Sequence, residues 1–277
     1  MKIYLFVAFV ILFLLPNRMQ GQPKSHITHY SLEEGLSQRD IMDILQDRKG
    51  FLWLATWDGL CKFDGYSFTT YKSFPEDSIQ MRNNRINKIV EDTYGYIWLY
   101  AYNKEFFRFD PRTGKCVASF KKGDKPFRAS QALIMSSGKV WLVSEAMGAI
   151  CVMDSLNNYN EFSVEKKNLP GNKVYSVLED SNNDSWILTN NGLVKTTSPL
   201  TGSASHSIFF EKRNNPSEET HFFSALELDT EIWFGANNGR ILLYNKKNKT
   251  FTPFDTEVES NIISIKRKPA CLKYRFI

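Results

Sequence analysis

The chain has 277 residues, 42% hydrophobic and 14% aromatic, a composition that excludes disorder and a length that can bury a β core without disulfides or metal. Its formal charge of +5 is carried by the ends, with Lys2 and Arg18 near the start and Lys266, Arg267, Lys268, Lys273 and Arg275 in residues 266–277. The body between them is slightly acidic, so it lacks the electrostatic footprint of nucleic-acid binding, and that class is excluded.

Residues 1–21 read as a signal peptide. Lys2 precedes an unbroken apolar run from Ile3 to Leu15, then Pro16 and the polar stretch Asn17 to Gln22. The run is short for a bilayer span of about 20 residues but suits an export signal. Cleavage near Gly21 and a periplasmic location are expected, an uncleaved anchor being the alternative. Cys61, Cys116, Cys151 and Cys271 form no CxxC pair, so buried or half-buried thiols are expected in preference to a zinc site or a disulfide ladder.

From residue 22 to 265 the chain is a repeat. Trp53, Trp98, Trp141, Trp186 and Trp233 stand 45, 43, 45 and 47 residues apart, a period expected for propeller blades. Each lies in the same local context. In the first unit Ile41-Met42-Asp43-Ile44-Leu45 alternates toward the turn Asp47-Arg48-Lys49-Gly50, and Phe51-Leu52-Trp53-Leu54 follows. The second unit repeats this from Ile86 through Glu91-Asp92 and Gly95 to Ile97-Trp98-Leu99, and the fourth from Val174 through Glu179-Asp180 to Trp186-Ile187-Leu188. Asp58-Gly59, Asn190-Asn191-Gly192 and Asn237-Asn238-Gly239 then supply residues tolerant of positive φ for a tight turn. Strands such as Cys61-Lys62-Phe63 and Phe107-Arg108-Phe109 follow, with outer strands at 68–71 and 251–254. Short β-rich runs joined by such turns give four-stranded blades. Units three and five carry trimmed first hairpins, Ser136-Ser137-Gly138-Lys139 and Asp229-Thr230-Glu231.

The expected fold is therefore all-β: a propeller of about five blades with the remnant of a sixth, which begins at Ile262-Ile263-Ser264-Ile265. Residues 266–277 are read as a basic, aberrant tail, although Tyr274 stands where the next tryptophan would fall. An unclosed ring points to a truncated piece of a longer protein.

The wording of 47–59 and 92–103 resembles the two-component regulator propeller repeat: Glu-Asp, Gly, apolar-Trp-apolar, then Asn-Gly-Leu and an aromatic-Asp strand. The stretch Tyr30-Ser31-Leu32-Glu33-Glu34-Gly35-Leu36-Ser37 resembles the entry segment of the same proteins. The resemblance implies the sensor part of a hybrid two-component system that detects glycan fragments in Bacteroides-like bacteria. It also implies an oligosaccharide ligand, a parent protein anchored in the inner membrane that can dimerise, and as partner the remainder of that sensor or a neighbouring propeller. The kinase of intact members is not carried over to these residues.

His26, His29, His206 and His221 stand in no metal-binding spacing, and HExxH, GxSxG, GxGxxG and the P-loop pattern are missing from the sequence, so no catalytic residue, cofactor or metal is expected. The Asp180–Asp184 stretch resembles the start of a calcium loop, but no Gly follows at its sixth position. The alternatives kept open are a sialidase-like glycan-active propeller and a protein-interaction scaffold. The five register tryptophans are expected between sheets. The turns after the second strands and the loops joining blades are expected on one rim, where the ligand candidates are Trp57, Asp58, Arg85, Tyr102, Asn103, Asn190, Asn191, Asn237 and Asn238. Asn83, Asn84 and His221 stand beside them. Trp57, the tryptophan outside the register, is read either as a platform that stacks on sugar or as a cover for the adjacent blade.

Overall fold

A computed structural model describes residues 28–73, 83–197, 206–209, 220–256, 260–267 and 274–276. The signal-peptide reading, His26 and Cys271 lie outside the described residues. Each Trp-centred unit folds into one antiparallel sheet whose strands pair in chain order. Blade 1 is β1 (Ile41–Gln46), β2 (Leu52–Thr56), β3 (Gly59–Phe63) and β4 (Phe68–Tyr71); blade 2 is β5 (Ile86–Glu91), β6 (Ile97–Ala101), β7 (Phe106–Asp110) and β8 (Lys115–Ser119). A small hairpin, β9 (Lys121–Lys122) and β10 (Lys125–Pro126), leads to blade 3: β11 (Gln131–Ile134), β12 (Val140–Ser144), β13 (Gly148–Val152) and β14 (Tyr159–Phe162). Blade 4 is β15 (Val174–Glu179), β16 (Ser185–Thr189), β17 (Gly192–Thr196) and β18 (His206–Phe209); blade 5 is β19 (Phe222–Glu227), β20 (Glu231–Ala236), β21 (Arg240–Asn245) and β22 (Thr250–Asp255). A last pair, β23 (Ile265–Arg267) and β24 (Tyr274–Phe276), opens a sixth sheet, with Tyr274 opposite Arg267.

Consecutive sheets pack face to face, and the apolar alternation of the strands fills the space between them. Trp53 packs with Ile86, Leu99 and Phe109 of blade 2, and Trp98 with Phe120, Phe127 and Leu142 toward blade 3. Trp141 packs with Val174 and Ile187 of blade 4, and Trp186 with Phe222 and Phe234 of blade 5. These four indoles are wholly buried. Trp233 is half-buried against Ile241, Ile262 and Ile265, beside the sixth sheet. All five stand on the second strand of their blade. In each the tryptophan pairs with a residue seven or eight places upstream on the first strand, as Leu45 does with Trp53 and Leu226 with Trp233.

The first hairpins show why the Asp precedes the Trp by six. One carboxylate oxygen of Asp47 accepts the Lys49 and Phe51 amides, and the other accepts the Trp53 indole N–H at 2.8 Å. Asp92 does the same for Tyr94, Tyr96 and Trp98, and Asp180 for Asn182, Asp184 and Trp186. The carboxylate thereby closes the turn and satisfies a buried donor in one step. Unit three corrects the expectation of a trimmed hairpin. Its backbone bonds, Met135 N to Lys139 O and Gly138 N to Met135 O, match those of blades 1 and 2. Met135 merely stands where the Asp would be, and the Trp141 indole N–H is left without a partner. Unit five is trimmed as expected: Leu228 N bonds Glu231 O directly, and the Glu231 carboxylate takes the Trp233 N–H.

The Glu that ends the first strand in blades 2, 4 and 5 clasps the previous blade. Glu91 accepts the Arg48 amide, Glu179 the Ser137 amide and Glu227 the Ser181 amide. Glu179 also bonds the Lys139 ammonium at 2.8 Å, both side chains being nearly buried. Burial raises the Glu179 carboxyl, but Lys139 and Ser137 outweigh it and hold the group below the ordinary carboxylate range. A carboxyl lowered on folding contributes stability above its unfolded value and loses it as the pH falls toward the folded one. Stability is therefore expected to drop in acid below the ordinary glutamate range. Glu179→Gln should cost about 1–3 kcal/mol at neutral pH and flatten that drop. Urea titrations of both proteins from neutral to acid pH check this, and parallel curves would sink it.

Blade 1 has a different outer face. Ile41, Met42, Ile44 and Leu52 are exposed there, and Tyr30, Leu36, Phe63 and Phe68 border a shallow apolar hollow beside Ile41 and Leu52. The thiols sit as composition suggested: Cys61 and Cys151 are buried and Cys116 half-buried, all three unbridged. Burial pushes Cys151 up to about 12.

Candidate functional site

The turns between second and third strands meet the loops between blades on one rim, because their backbones bond each other. Gly59 N donates to Asn84 O, Tyr102 N to Arg85 O, Gly148 N to Asn172 O, Asn190 N to Lys173 O and Asn237 N to His221 O. Close approach requires glycine at several of these turns. Gly148 has φ +86°, and a Cβ there would run into the Phe162 carbonyl oxygen.

The structure divides the rim candidates. Trp57, Arg85 and Tyr102 come together: the Arg85 guanidinium carbon lies 5.5 Å from the Trp57 ring centre and 5.8 Å from that of Tyr102. Trp57 is 41% exposed and Tyr102 60%, so their faces remain open to solvent. Asp58 is held by Lys72 at 2.6 Å. The asparagines serve the backbone. Asn103 accepts the Glu105 amide, Asn190 the Lys173 amide and Asn237 the His221 amide, while Asn191 donates to the Pro170 carbonyl. Asn238 takes φ +56°, which Asn tolerates. Asn83 and Asn84 cap the Arg85 and Ser73 amides, and His221 Nδ1 lies 3.4 Å from the Tyr175 hydroxyl.

Beside Tyr102 a cleft of ≈ 690 Å³ opens between the turns of blades 2 and 3. Its walls include Tyr100, Tyr102 and Asn103 on one side and Ser144, Glu145 and Met147 on the other, with Lys104, Arg128 and Ser130 between. Sequence reasoning singled out only Tyr102 and Asn103 of these. The signal for the rest was the blade-3 turn Glu145-Ala146-Met147-Gly148, where blades 1, 4 and 5 carry Asn or Asp before Gly. The volume falls within the range of small-molecule sites, about 300–1,000 Å³.

On the opposite side, cations on the third strands complete the Asp–Trp turns. Trp98 pairs across the ladder with Arg108, whose guanidinium bonds Asp92 at 2.6 and 3.0 Å and lies 4.2 Å from the Tyr96 ring. Arg108 also reaches blade 3, donating to Asp154 O and Asn157 Oδ1. Lys195 takes the same place opposite Trp186 and pairs with Asp184 at 2.8 Å, and Lys62 opposite Trp53 covers the Phe51 ring at 3.5 Å. Blade 3, which lacks the Asp, has Cys151 there in place of a cation. In blades 1 to 4 the turn Asp and the third-strand cation are present or absent together, whereas blade 5 bonds Glu231 to Trp233 with Leu243 opposite; the repeat's turn aspartates are committed to structure.

Residues 35–58 match the family described as two component regulator propeller, over the last three residues of the entry segment, the first hairpin and its Asp47–Trp53 pair. The first blade is similar to the two-component regulator propeller repeat over this stretch. Histidine kinase P4 of Formosa agariphila is 56% identical over 45 residues, 16% of this chain and 3% of that protein. Among solved structures, two of the extracellular domain of BT4673 from B. thetaiotaomicron are similar. One, titled a putative one component system, gives a TM-score of 0.53 at 19% identity over 83% of this chain. The other, titled a putative hybrid two component system, gives 0.51 at 18% identity over 84%. This chain spans 30% of the length of either structure, and at these identities the likeness is one of fold. Where this chain carries a Glu-Asp pair, in blades 2 and 4, the two residues have separable tasks: Glu joins a blade to the one before it, and Asp joins the turn to its own tryptophan.

Proposed function

We propose that this chain is a non-catalytic, extracytoplasmic recognition module of a two-component signalling protein, and that it senses glycan fragments. The observation that carries the reading is the exposed grouping of Trp57, Arg85 and Tyr102, the last of which also lines the rim cleft. Flat aromatic faces suit the C–H faces of sugar rings, and the neighbouring polar groups suit their hydroxyls. The rim stands on stacked sheets, a rigid support for such a site. The regulator propeller repeat and the titles of the similar extracellular domains support a sensing role; the kinase chemistry in the name of the Formosa agariphila relative belongs to that protein.

Titrating an oligosaccharide panel into the protein by calorimetry, with product analysis on the same samples, tests this. Binding without cleavage is the expected result. Trp57→Ala is expected to weaken it about tenfold or more while leaving the melting temperature within a degree or two. Cleaved products would replace the reading with a glycan-active enzyme. A second reading, a protein-contact scaffold, is favoured by the exposed apolar face of β1, and absence of binding across the panel would select it.

A further inference from the structure

The charges around the cleft narrow the ligand class. Resting on the saccharide reading above, we infer that the strip from Trp57 through Arg85 and Tyr102 to Lys104 and Arg128 receives an acidic oligosaccharide, one bearing carboxylate or sulfate.

The half-buried and buried cations of the described body are matched to anions or rings: Arg108 to Asp92, Lys139 to Glu179, Lys195 to Asp184 and Lys246 to Glu227. Arg85, Lys104 and Arg128 are exposed and lie along one strip of the rim. Among the described residues none of the three has a carboxylate within ion-pair distance, although Glu105 adjoins Lys104 in the chain and Glu145 lines the same cleft. Their backbones are nonetheless fixed. Lys104 holds φ +66°, donates its amide to Ala101 O, and its carbonyl accepts the Ala129 amide at 3.0 Å. Arg128 bridges Glu105 through its backbone and donates its amide to the Met147 sulfur. Lys104 and Arg128 thus line one cleft on fixed backbone, with Glu145 the one carboxylate among its lining residues. The lining therefore carries a net positive charge, which favours an anion.

Arg85 extends the same field, its guanidinium flanked by two aromatic rings. A guanidinium presents a planar fork that meets carboxylate or sulfate through two parallel hydrogen bonds. The rings beside it offer the sugar a stacking face within reach of that fork. Glu145 on the far wall gives the site polarity, repelling a second acid there and accepting hydroxyl hydrogens instead. The expected ligand therefore alternates an acidic group with neutral ring faces.

Calorimetry with tetragalacturonate, its fully methyl-esterified form, a sulfated carrageenan tetrasaccharide and neutral cellotetraose decides the matter, using the wild type, Arg85→Gln and Arg128→Gln. At least one acidic probe is expected to bind tenfold or more tighter than the ester and the neutral glucan. Each Arg→Gln change is expected to remove about tenfold of that affinity, leaving weak ester binding and the melting temperature unmoved. Raising the salt should narrow the gap between acid and ester. The carboxylate and sulfate arms show which anion the fork prefers. Equal affinity for acid and ester, tighter binding of cellotetraose, or unchanged affinity in both variants would overturn the inference and leave the saccharide reading standing. Absence of binding to all four probes overturns the inference and counts against the saccharide reading as well.

Discussion

Replacing Asp92 with alanine is expected to destabilise the protein by about 3–5 kcal/mol, the loss seen when one partner of a buried ion pair is removed. Three groups lose their acceptor together. The Arg108 guanidinium, only 1% exposed, becomes an uncompensated buried charge; the Trp98 indole N–H becomes an orphan inside the sheet stack; and the Tyr94 and Tyr96 amides lose the oxygen that closes the turn. Asp92→Asn fares little better, because its amide N–H₂ would face other donors on one side. Thermal and urea unfolding of the purified variants read the effect directly, and a loss below about 1 kcal/mol would refute the account. Blade 3 supplies the internal comparison. Met135 and Cys151 show that a blade forms without the carboxylate when the cation is also missing, so damage in Asp92→Ala comes chiefly from Arg108 being left behind. Adding Arg108→Met to Asp92→Ala is expected to recover part of the loss.

The second large effect separates register tryptophans from the exposed one. Trp186→Ala is expected to cost about 3–5 kcal/mol, the usual range for deleting a buried aromatic. The Trp186 ring touches Phe234 at 5.1 Å, Tyr244 at 4.8 Å and Phe251 at 6.3 Å between ring centres, all from blade 5, so the cavity opens at a joint between two sheets. Sheets stacked in this way take much of their stability from their neighbours, and the loss should appear as earlier melting of blades 4 and 5. Trp57→Ala, made in the same background, is expected to move stability by no more than about 0.5–1 kcal/mol. Hydrogen exchange resolved by peptide, together with melting curves, distinguishes the two. Equal destabilisation by both substitutions would mean that Trp57 packs in the manner of the others.

Much of the architecture follows from local spacing. A tryptophan every 43–47 residues, an Asp six residues before it, and Gly or Asn where φ turns positive are signals confined to one hairpin, so a reader of the chain can find them. The five sheets, the place of the tryptophans on the second strands and the grouping of turns and loops on one rim are legible for that reason. Unit three was misread as trimmed because its turn lacks the Asp, although its length is normal.

Contacts between blades were not legible. The Arg48 amide reaches Glu91 across 43 residues, and Arg108 reaches Asn157 across 49, and no local pattern announces such partners. The same holds at the rim. Trp57 and Tyr102 are separated by a whole blade in sequence, and only stacking of the sheets sets them on either side of Arg85. Arg128 escaped notice because the connection between blades 2 and 3 has no counterpart elsewhere in the repeat, and Glu145 because its turn lacks the Asn or Asp before Gly that marks blades 1, 4 and 5. By itself the chain determined which segments become strands and which turns join them, since hydrophobic alternation and turn chemistry act over a few residues. The tertiary structure alone decided which asparagines are committed to the backbone and which cations stay unmatched beside a cleft, because those outcomes depend on how neighbouring sheets seat against one another.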